Sequence, residues 1–332
     1  MLDLNQSQPI VIGGRAVPPG RKVKLQLPFT EDVTGGTESL PVVVINGRSA
    51  GPHVWLSAAI HGDELNGIQI IRRVLAQLDA KNLRGALIAA PIVNPLGFMI
   101  ASRYLPDRRD LNRSFPGSKR GSTASRLAHL FMSEVVAQCS AGIDLHTASN
   151  HRTNIPQVRA DTDDPTTLEL ARAFGAPFTV HARVRDGSLR QAATEQGKTV
   201  LVYEGGQAHR FDEEAISAGV TGVLRALKAV GMHDARLVRP KPTTLLRRTH
   251  WVRARRGGIA DIQVNLGEQV KKGQPIALIS DAFGIRPTTV KSPVDGWVVA
   301  RALRPIVISG DPLVHIGAEQ GPARDEPAER RR

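Results

Sequence analysis

His61 and Glu64 stand two residues apart in His61-Gly-Asp-Glu64. That spacing can put an imidazole and a carboxylate on one metal ion at the end of a strand. His146, in Asp144-Leu-His146, can join them from a neighbouring strand tip. Two histidines and one glutamate with a fourth position left open form the donor pattern of catalytic zinc. Taken singly the pieces say little, because acidic residues suit helix starts and a histidine among apolar residues is usually packed core. The eight other histidines of the ten have no partner at ligand spacing. Asp144, two residues before His146, is placed to fix a ligand imidazole from behind, a common arrangement at zinc sites.

For these residues to meet, the chain must bring strand ends together. The run His53-Val-Trp-Leu-Ser-Ala-Ala-Ile60 reads as a buried strand leading into His61, and Leu65, Ile68, Ile71, Val74, Leu75 and Leu78 then recur at helical spacing. Gly85 to Asn94 is a second apolar run, closed by Pro95, which cannot donate to a ladder. The loop from 96 to about 120 is rich in Arg, Asp, Pro and Gly, and loops of that length in compact domains are usually functional or disordered. Ser122 or Thr123 can cap a helix running to about Cys139, after which Ala141 to His146 reads as a short buried strand. A helix near 165 to 174, strands at Phe178 to Ala182 and Thr199 to Tyr203, and a helix from about Glu213 to Val230 ended by Gly231 complete the pattern. The expected fold is α/β, a mixed sheet with flanking helices and polar clusters at strand ends, where open α/β sheets collect ligand-binding groups.

Composition is that of a globular chain, with 41% hydrophobic and 23% charged residues. Aromatic residues are only 4%, so no platform for stacking bases is suggested and nucleic acid is not an expected partner. The net charge of +13 attracts anions and would speed capture of a small acidic substrate, although scattered Arg also serves solubility. No stretch approaches the roughly 18 apolar residues of a membrane span, and MLDLNQSQPI lacks the features of a signal peptide. The single cysteine, Cys139, excludes an internal disulfide and sits among Val135, Val136 and Ala137 as a core residue. A cytoplasmic protein is expected, with a homo-oligomer left open.

Taken together, His61-Gly-Asp-Glu64, Asn94-Pro95, Arg103, Asp110-Leu-Asn-Arg113, Asp144-Leu-His146 and Glu204 resemble the succinylglutamate desuccinylase/aspartoacylase family, relatives of the zinc carboxypeptidases. The match runs in the family's order over roughly residues 40 to 230. The resemblance implies a zinc carboxypeptidase-like fold with His61, Glu64 and His146 as ligands of Zn2+ and Arg103 polarising the scissile carbonyl. It further implies Asn112 with Arg113 as the clamp on a substrate carboxylate and Glu204 as general base. Those roles are chemically apt, since zinc lowers the pKa of its water to about 7 and a carboxylate can pass that proton to the leaving nitrogen. The planar fork of arginine suits a carboxylate. Departures fall at Ser149-Asn-His-Arg-Thr-Asn-Ile-Pro-Gln157 and from Arg183 to Gly187, stretches that would shape the acyl pocket.

Arg239-Pro-Lys-Pro-Thr243 reads as a linker, and short strands and turns follow it. Gly258-Ile-Ala-Asp-Ile and Gly273-Gln-Pro-Ile-Ala are echoed by Gly296-Trp-Val-Val-Ala and Gly310-Asp-Pro-Leu-Val. Both halves resemble the lipoyl/biotinyl carrier domain, a flattened barrel of two quasi-symmetric parts. Where that family carries its modified lysine, this chain reads Asp281-Ala-Phe-Gly-Ile-Arg-Pro287. The expected organisation is a zinc amidohydrolase domain over 1–240, a lipoyl-like β module over 241–318 with a structural or substrate-gating role rather than a carrier's, and a disordered tail over 319–332. The leading expectation is hydrolysis of a small N-acylated amino acid or related carboxylate-bearing amide. The alternatives are a zinc carboxypeptidase acting on peptides and a non-catalytic binding or scaffold protein, which would have no need of Glu204.

Overall fold

The computed structural model describes residues 7–319 apart from 32, 184, 185 and 286. The tail expected to be disordered therefore lies, from residue 320 onward, outside the described residues. In chain order, a small hairpin of β1 (Ile10–Ile12) and β2 (Arg15–Val17) precedes the long pair β3 (Arg21–Glu31) and β4 (Thr37–Asn46). Next come β5 (Ser49–Ala58), α1 (Asn66–Gln77), β6 (Arg84–Ala90), α2 (Pro95–Met99), α3 (Thr123–Glu134), β7 (Ala141–Ala148) and β8 (Arg152–Ala160). The chain continues through α4 (Pro165–Phe174), β9 (Phe178–His181), α5 (Leu189–Glu195), β10 (Thr199–Gln207) and α6 (Glu213–Ala229).

Local chemistry accounts for the helices. Ile70, Ile71, Val74 and Leu75 make one buried stripe on α1. The Asp164 side chain caps α4 at Thr167 N, Pro165 opens it, and Gly175 closes it at φ 74°. In α6, Asp212 caps Ala215 N, while Glu213 and Glu214 in the first turn and Lys228 in the last complement the helix dipole. The helix expected to reach Cys139 stops at Glu134 and gives way to a 3-10 turn, Val136–Gln138. Cys139 is buried, and burial pushes its thiol pKa up, as a packed rather than reactive cysteine requires.

The strands β5, β7 and β10 lie side by side and parallel, with β6 parallel to β5 on one side and β8 antiparallel to β10 on the other. Toward the β6 edge, β4 and β3 continue antiparallel. The sheet is thus mixed, and the carboxyl ends of β5, β7 and β10 share one edge. Helices α1, α4 and α6 bury one face with Ile70, Leu170, Val223 and their neighbours. The β1–β2 hairpin, α3 and α5 cover the other, around Trp55, Phe131 and Leu189. No helix among the described residues is long and apolar enough to cross a membrane.

The last strands are β11 (Thr244–Leu246), β12 (Arg248–Arg253), β13 (Gly258–Ile262), β14 (Gln269–Val270), β15 (Pro275–Ser280), β16 (Thr288–Lys291), β17 (Gly296–Ala302), β18 (Ile306–Val307) and β19 (Pro312–Ala318). They do not stand apart from the large sheet. β17 pairs with β8, Ala300 opposite Asn154 and Ala302 opposite Arg152, and β19 and β12 extend the sheet outward from it. A separate antiparallel sheet in the order β16-β15-β13-β18 shares a core with these strands through Ile276, Ile279, Val298 and Leu313.

Candidate functional site

The strand after which His61 falls ends at Ala58, and the chain turns sharply there, with Ala59 at φ 50° and Glu64 N bonded to His61 O. Gly62 is required by close approach: a Cβ on it would lie 2.1 Å from the Gly97 carbonyl carbon at the start of α2. His146 stands near the end of β7, and Glu204 on β10 is its direct register partner. Gly205 and Gly206 then interrupt the register, and Gly206, at φ 75°, leaves space for the Asn66 side chain that bonds Gly205 O.

The three expected ligands meet. His61 Nδ1 lies 2.7 Å from Glu64 Oε1 and His146 Nδ1 lies 2.8 Å from Glu64 Oε2. One donor atom from each of the three residues falls within 4.8 Å of the others, and all three residues are buried. His146 Nε2 faces Asp144 Oδ2 at 2.8 Å, and Ser57 Oγ donates to Asp144 Oδ1 at 2.7 Å. Asp144 thus claims one ring nitrogen of His146 and leaves Nδ1 turned to the centre. Burial opposes protonation of His146, yet the Asp144 and Glu64 carboxylates outweigh it and hold the imidazole pKa well above its usual value. Burial likewise opposes charge on His61, and Glu64 and Asp110 raise it. Burial would raise Glu64, but the two imidazoles pull it far below the carboxylate range. Every shift favours added positive charge at this centre, so the donor set fits a divalent cation such as zinc. A second group, Asp161, Asp163 and His181, also lies close together, but it is more exposed and Asp163 is tied to Arg247.

Arg103 is held by Asp110, whose Oδ2 accepts from Nε at 3.1 Å and from Nη2 at 2.8 Å. Its Nη1 is left facing the cluster, 3.3 Å from His61 Nδ1 and 3.7 Å from Glu64 Oε1. Burial works against charge on Asp110, and His61 and Arg103 hold its pKa far below the usual range regardless. Asn112 and Arg113 border the same cavity, of about 700 Å3, although Asn112 Oδ1 is already engaged by Leu189 N at the start of α5. Glu204 lines it too, with Oε2 accepting from Asn154 Nδ2 at 2.5 Å and Oε1 3.9 Å from Arg159 Nε. Asp63, between the ligands in sequence, is buried and also borders the cavity, and burial together with the Glu64 charge raises its pKa.

All eight residues singled out from the sequence therefore border one cavity. The sequence reading missed several others. Asp110 belonged to a motif already noted and had been given no role. Asn154 lies in the Ser149 to Gln157 stretch expected to shape the acyl pocket but has no role of its own in the sequence, and Arg159, Trp251 and His315 carry no signal, because each of the four enters the site through strand pairing with distant parts of the chain.

Residues 50–230 match the family model described as the succinylglutamate desuccinylase/aspartoacylase catalytic domain. The chain is 30% identical over 307 residues to the N-alpha-acetyl-L-2,4-diaminobutyric acid deacetylase of Halomonas elongata, covering 88% of this chain and 90% of that protein. It is 29% identical over 158 residues to the succinylglutamate desuccinylase of Pseudomonas aeruginosa, 45% of this chain and 46% of that one. Among solved structures, the product-bound ectoine utilization protein EutE (DoeB) of Ruegeria pomeroyi superposes with a TM-score of 0.82 at 26% identity, over 94% of this chain and 99% of that chain. The succinylglutamate desuccinylase/aspartoacylase of Rhodobacter sphaeroides gives 0.81 at 27% identity, over 91% and 97%.

Proposed function

The chain belongs to the succinylglutamate desuccinylase/aspartoacylase family, and from that footing we propose that it is a zinc-dependent deacylase that hydrolyses the amide bond of a small N-acylated amino acid. The observation that carries this reading is a single cavity holding three buried donors within 4.8 Å and, one strand over in register with His146, the carboxylate of Glu204. Held by His61, Glu64 and His146, zinc would supply Lewis acidity and lower the pKa of a bound water to about 7.

The remaining steps belong to the chain's own side chains. Asn154 fixes Glu204 Oε2 and so leaves Oε1 to take a proton from the attacking water and return it to the departing nitrogen. Asp110 occupies two nitrogens of Arg103, which directs Nη1 toward the carbonyl oxygen as charge develops there. Arg113, with Asn112, would grip the free carboxylate of the amino acid, a contact for which the guanidinium fork is suited. Trp251 and His315 from the region after residue 240 line the same cavity, which supports a role for a 241–318 module as its wall.

The names of the relatives point to acetyl and succinyl groups. The test is metal analysis of the purified protein followed by hydrolysis assays over N-acyl amino acids and tetrapeptides. About one zinc per chain and cleavage of the short N-acyl substrates alone are expected. Release of C-terminal residues from tetrapeptides, with the N-acyl amino acids untouched, would replace this reading with a carboxypeptidase.

A further inference from the structure

Arg152 opens β8 within the stretch Ser149 to Gln157, where the sequence departs from the family's pattern. It borders the cavity, half-buried, and its Nη1 donates to Ser149 Oγ at 3.0 Å. The guanidinium carbon sits over the Trp251 ring, 5.4 Å from its centroid. Trp251 is stacked in turn on His315, with centroids 4.5 Å apart and planes 1° from parallel, the two being register partners on β12 and β19. The platform beneath Arg152 thus comes from strands about one hundred residues or more further along the chain.

What distinguishes Arg152 is its charge environment. Arg103 is held by Asp110, and Arg159 lies beside Glu204. Arg152 forms no ion pair with a carboxylate among the described residues, and its donors are only partly used by Ser149. Burial first and Arg253 second press its pKa down, Asp311 pulls it partly back up, and Arg103 adds a smaller push downward. A half-buried guanidinium repelled by two others, on a rigid aromatic support and facing a cavity, is a prepared anion site.

We propose that Arg152, seated over the Trp251–His315 pair, is a specificity-determining residue that binds a second carboxylate of the substrate, separate from the one that Arg113 would hold. The assignment rests on the deacylase reading given above. That second carboxylate can lie on the acyl group or on the amino-acid side chain, and both present the same chemistry to Arg152.

Three matched substrates separate the sources: N-butanoyl-norvaline with one carboxylate, N-succinyl-norvaline with the second on the acyl chain, and N-butanoyl-glutamate with the second on the side chain. In the zinc-loaded wild-type enzyme one of the two diacids should exceed the monoacid in kcat/KM by about tenfold or more, through KM. Arg152→Gln should erase that ratio, Arg152→Lys should restore part of it, and Arg255→Gln, which removes an exposed charge outside the cavity, should leave it within about twofold. Calorimetric titration with glutarate against butyrate supplies a readout that needs no hydrolysis, and the glutarate advantage should likewise vanish in Arg152→Gln. If no N-acyl substrate is cleaved but glutarate binding still depends on Arg152, the deacylase reading fails and the anion site stands. An unchanged diacid-to-monoacid ratio and an unchanged glutarate advantage in Arg152→Gln would overturn the site. So would a wild-type preference for N-butanoyl-2,4-diaminobutyrate over both diacids.

Discussion

Replacing Asp144 tests whether the cluster is a metal site or a set of packed polar groups. Its carboxylate accepts from Ser57 Oγ at 2.7 Å and faces His146 Nε2 at 2.8 Å, with all three residues buried. In Asp144→Asn the amide oxygen can still accept from the imidazole and the amide nitrogen can donate to Ser57, so geometry persists and only the charge is lost. A charge-assisted hydrogen bond is worth roughly twice a neutral one, so the change weakens the hold on the ring by about 1 to 1.5 kcal/mol. That corresponds to about a tenfold loss of zinc affinity, at the low end of what such supporting carboxylates contribute. In Asp144→Ala both donors lose their acceptor in a dry interior, each at about 1 to 3 kcal/mol. The expected loss of affinity is then about a hundredfold or more, with a lower melting temperature as well. Competition against a chelator of known affinity measures the first quantity, and thermal unfolding of the chelated protein the second. Equal zinc affinity in wild type, Asp144→Asn and Asp144→Ala would refute the reasoning, because it would mean that nothing at the centre depends on the orientation of His146.

Glu204→Gln should retain zinc and fold while turnover falls by about 10² to 10⁴, since Asn154 can still bond the new amide oxygen but no group remains to carry the proton; stopped assays with metal analysis check both halves. Arg113→Lys should cut use of a carboxylate-bearing substrate by more than about tenfold and its uncharged amide analogue far less, as read from paired kcat/KM values. His233 is buried; its Nε2 donates to Leu224 O and its Nδ1 accepts from Ala235 N, and burial holds its pKa below the usual value, the Leu224 bond raising it only in part and the Lys228 charge lowering it further. Below about pH 6.5 the unfolded chain therefore takes up a proton that the folded chain refuses. The stability this ring contributes is present above that pH and is lost as pH falls toward the folded value, so urea midpoints at pH 7.5 and 5.5 should drop more for wild type than for His233→Gln.

The elements that carry the proposed ligands were legible because their signals are local. A continuous apolar run before His61, another before His146 and a third before Glu204 read as buried strands, and all three prove to be neighbours in one sheet. A helix near 165 to 174 was legible from its pattern, and the structure adds the Asp164 cap and the left-handed stop at Gly175 that set its ends. Less was visible wherever a contact depends on register between distant strands. Asn154 reaches Glu204 across 50 residues, and Trp251 meets His315 across 64. Nothing within ten residues of either pair marks it, because a strand's alternation fixes which face a side chain takes but not which strand lies beside it. The same limit hid the way β17 joins β8, which a short repeat of Gly-led strands does not announce.

That junction bears on how the site is held. Asn154, whose amide fixes Glu204, sits on β8 between β10 on one side and β17 on the other, opposite Gly206 and Ala300 respectively. Arg152, two residues earlier on the same strand, lies opposite Ala302 and under the influence of Trp251. Without β17 the β8 segment from Arg152 to Asn154 would be an edge, open to fraying at the point where both side chains must be aimed. The strands after residue 240 thus act on the site twice, through the rings they present to the cavity and through the backbone ladder that keeps β8 in place. A change that loosens β17 without touching the cavity should therefore raise KM and lower kcat together, whereas loss of the Trp251 ring should act mainly on KM.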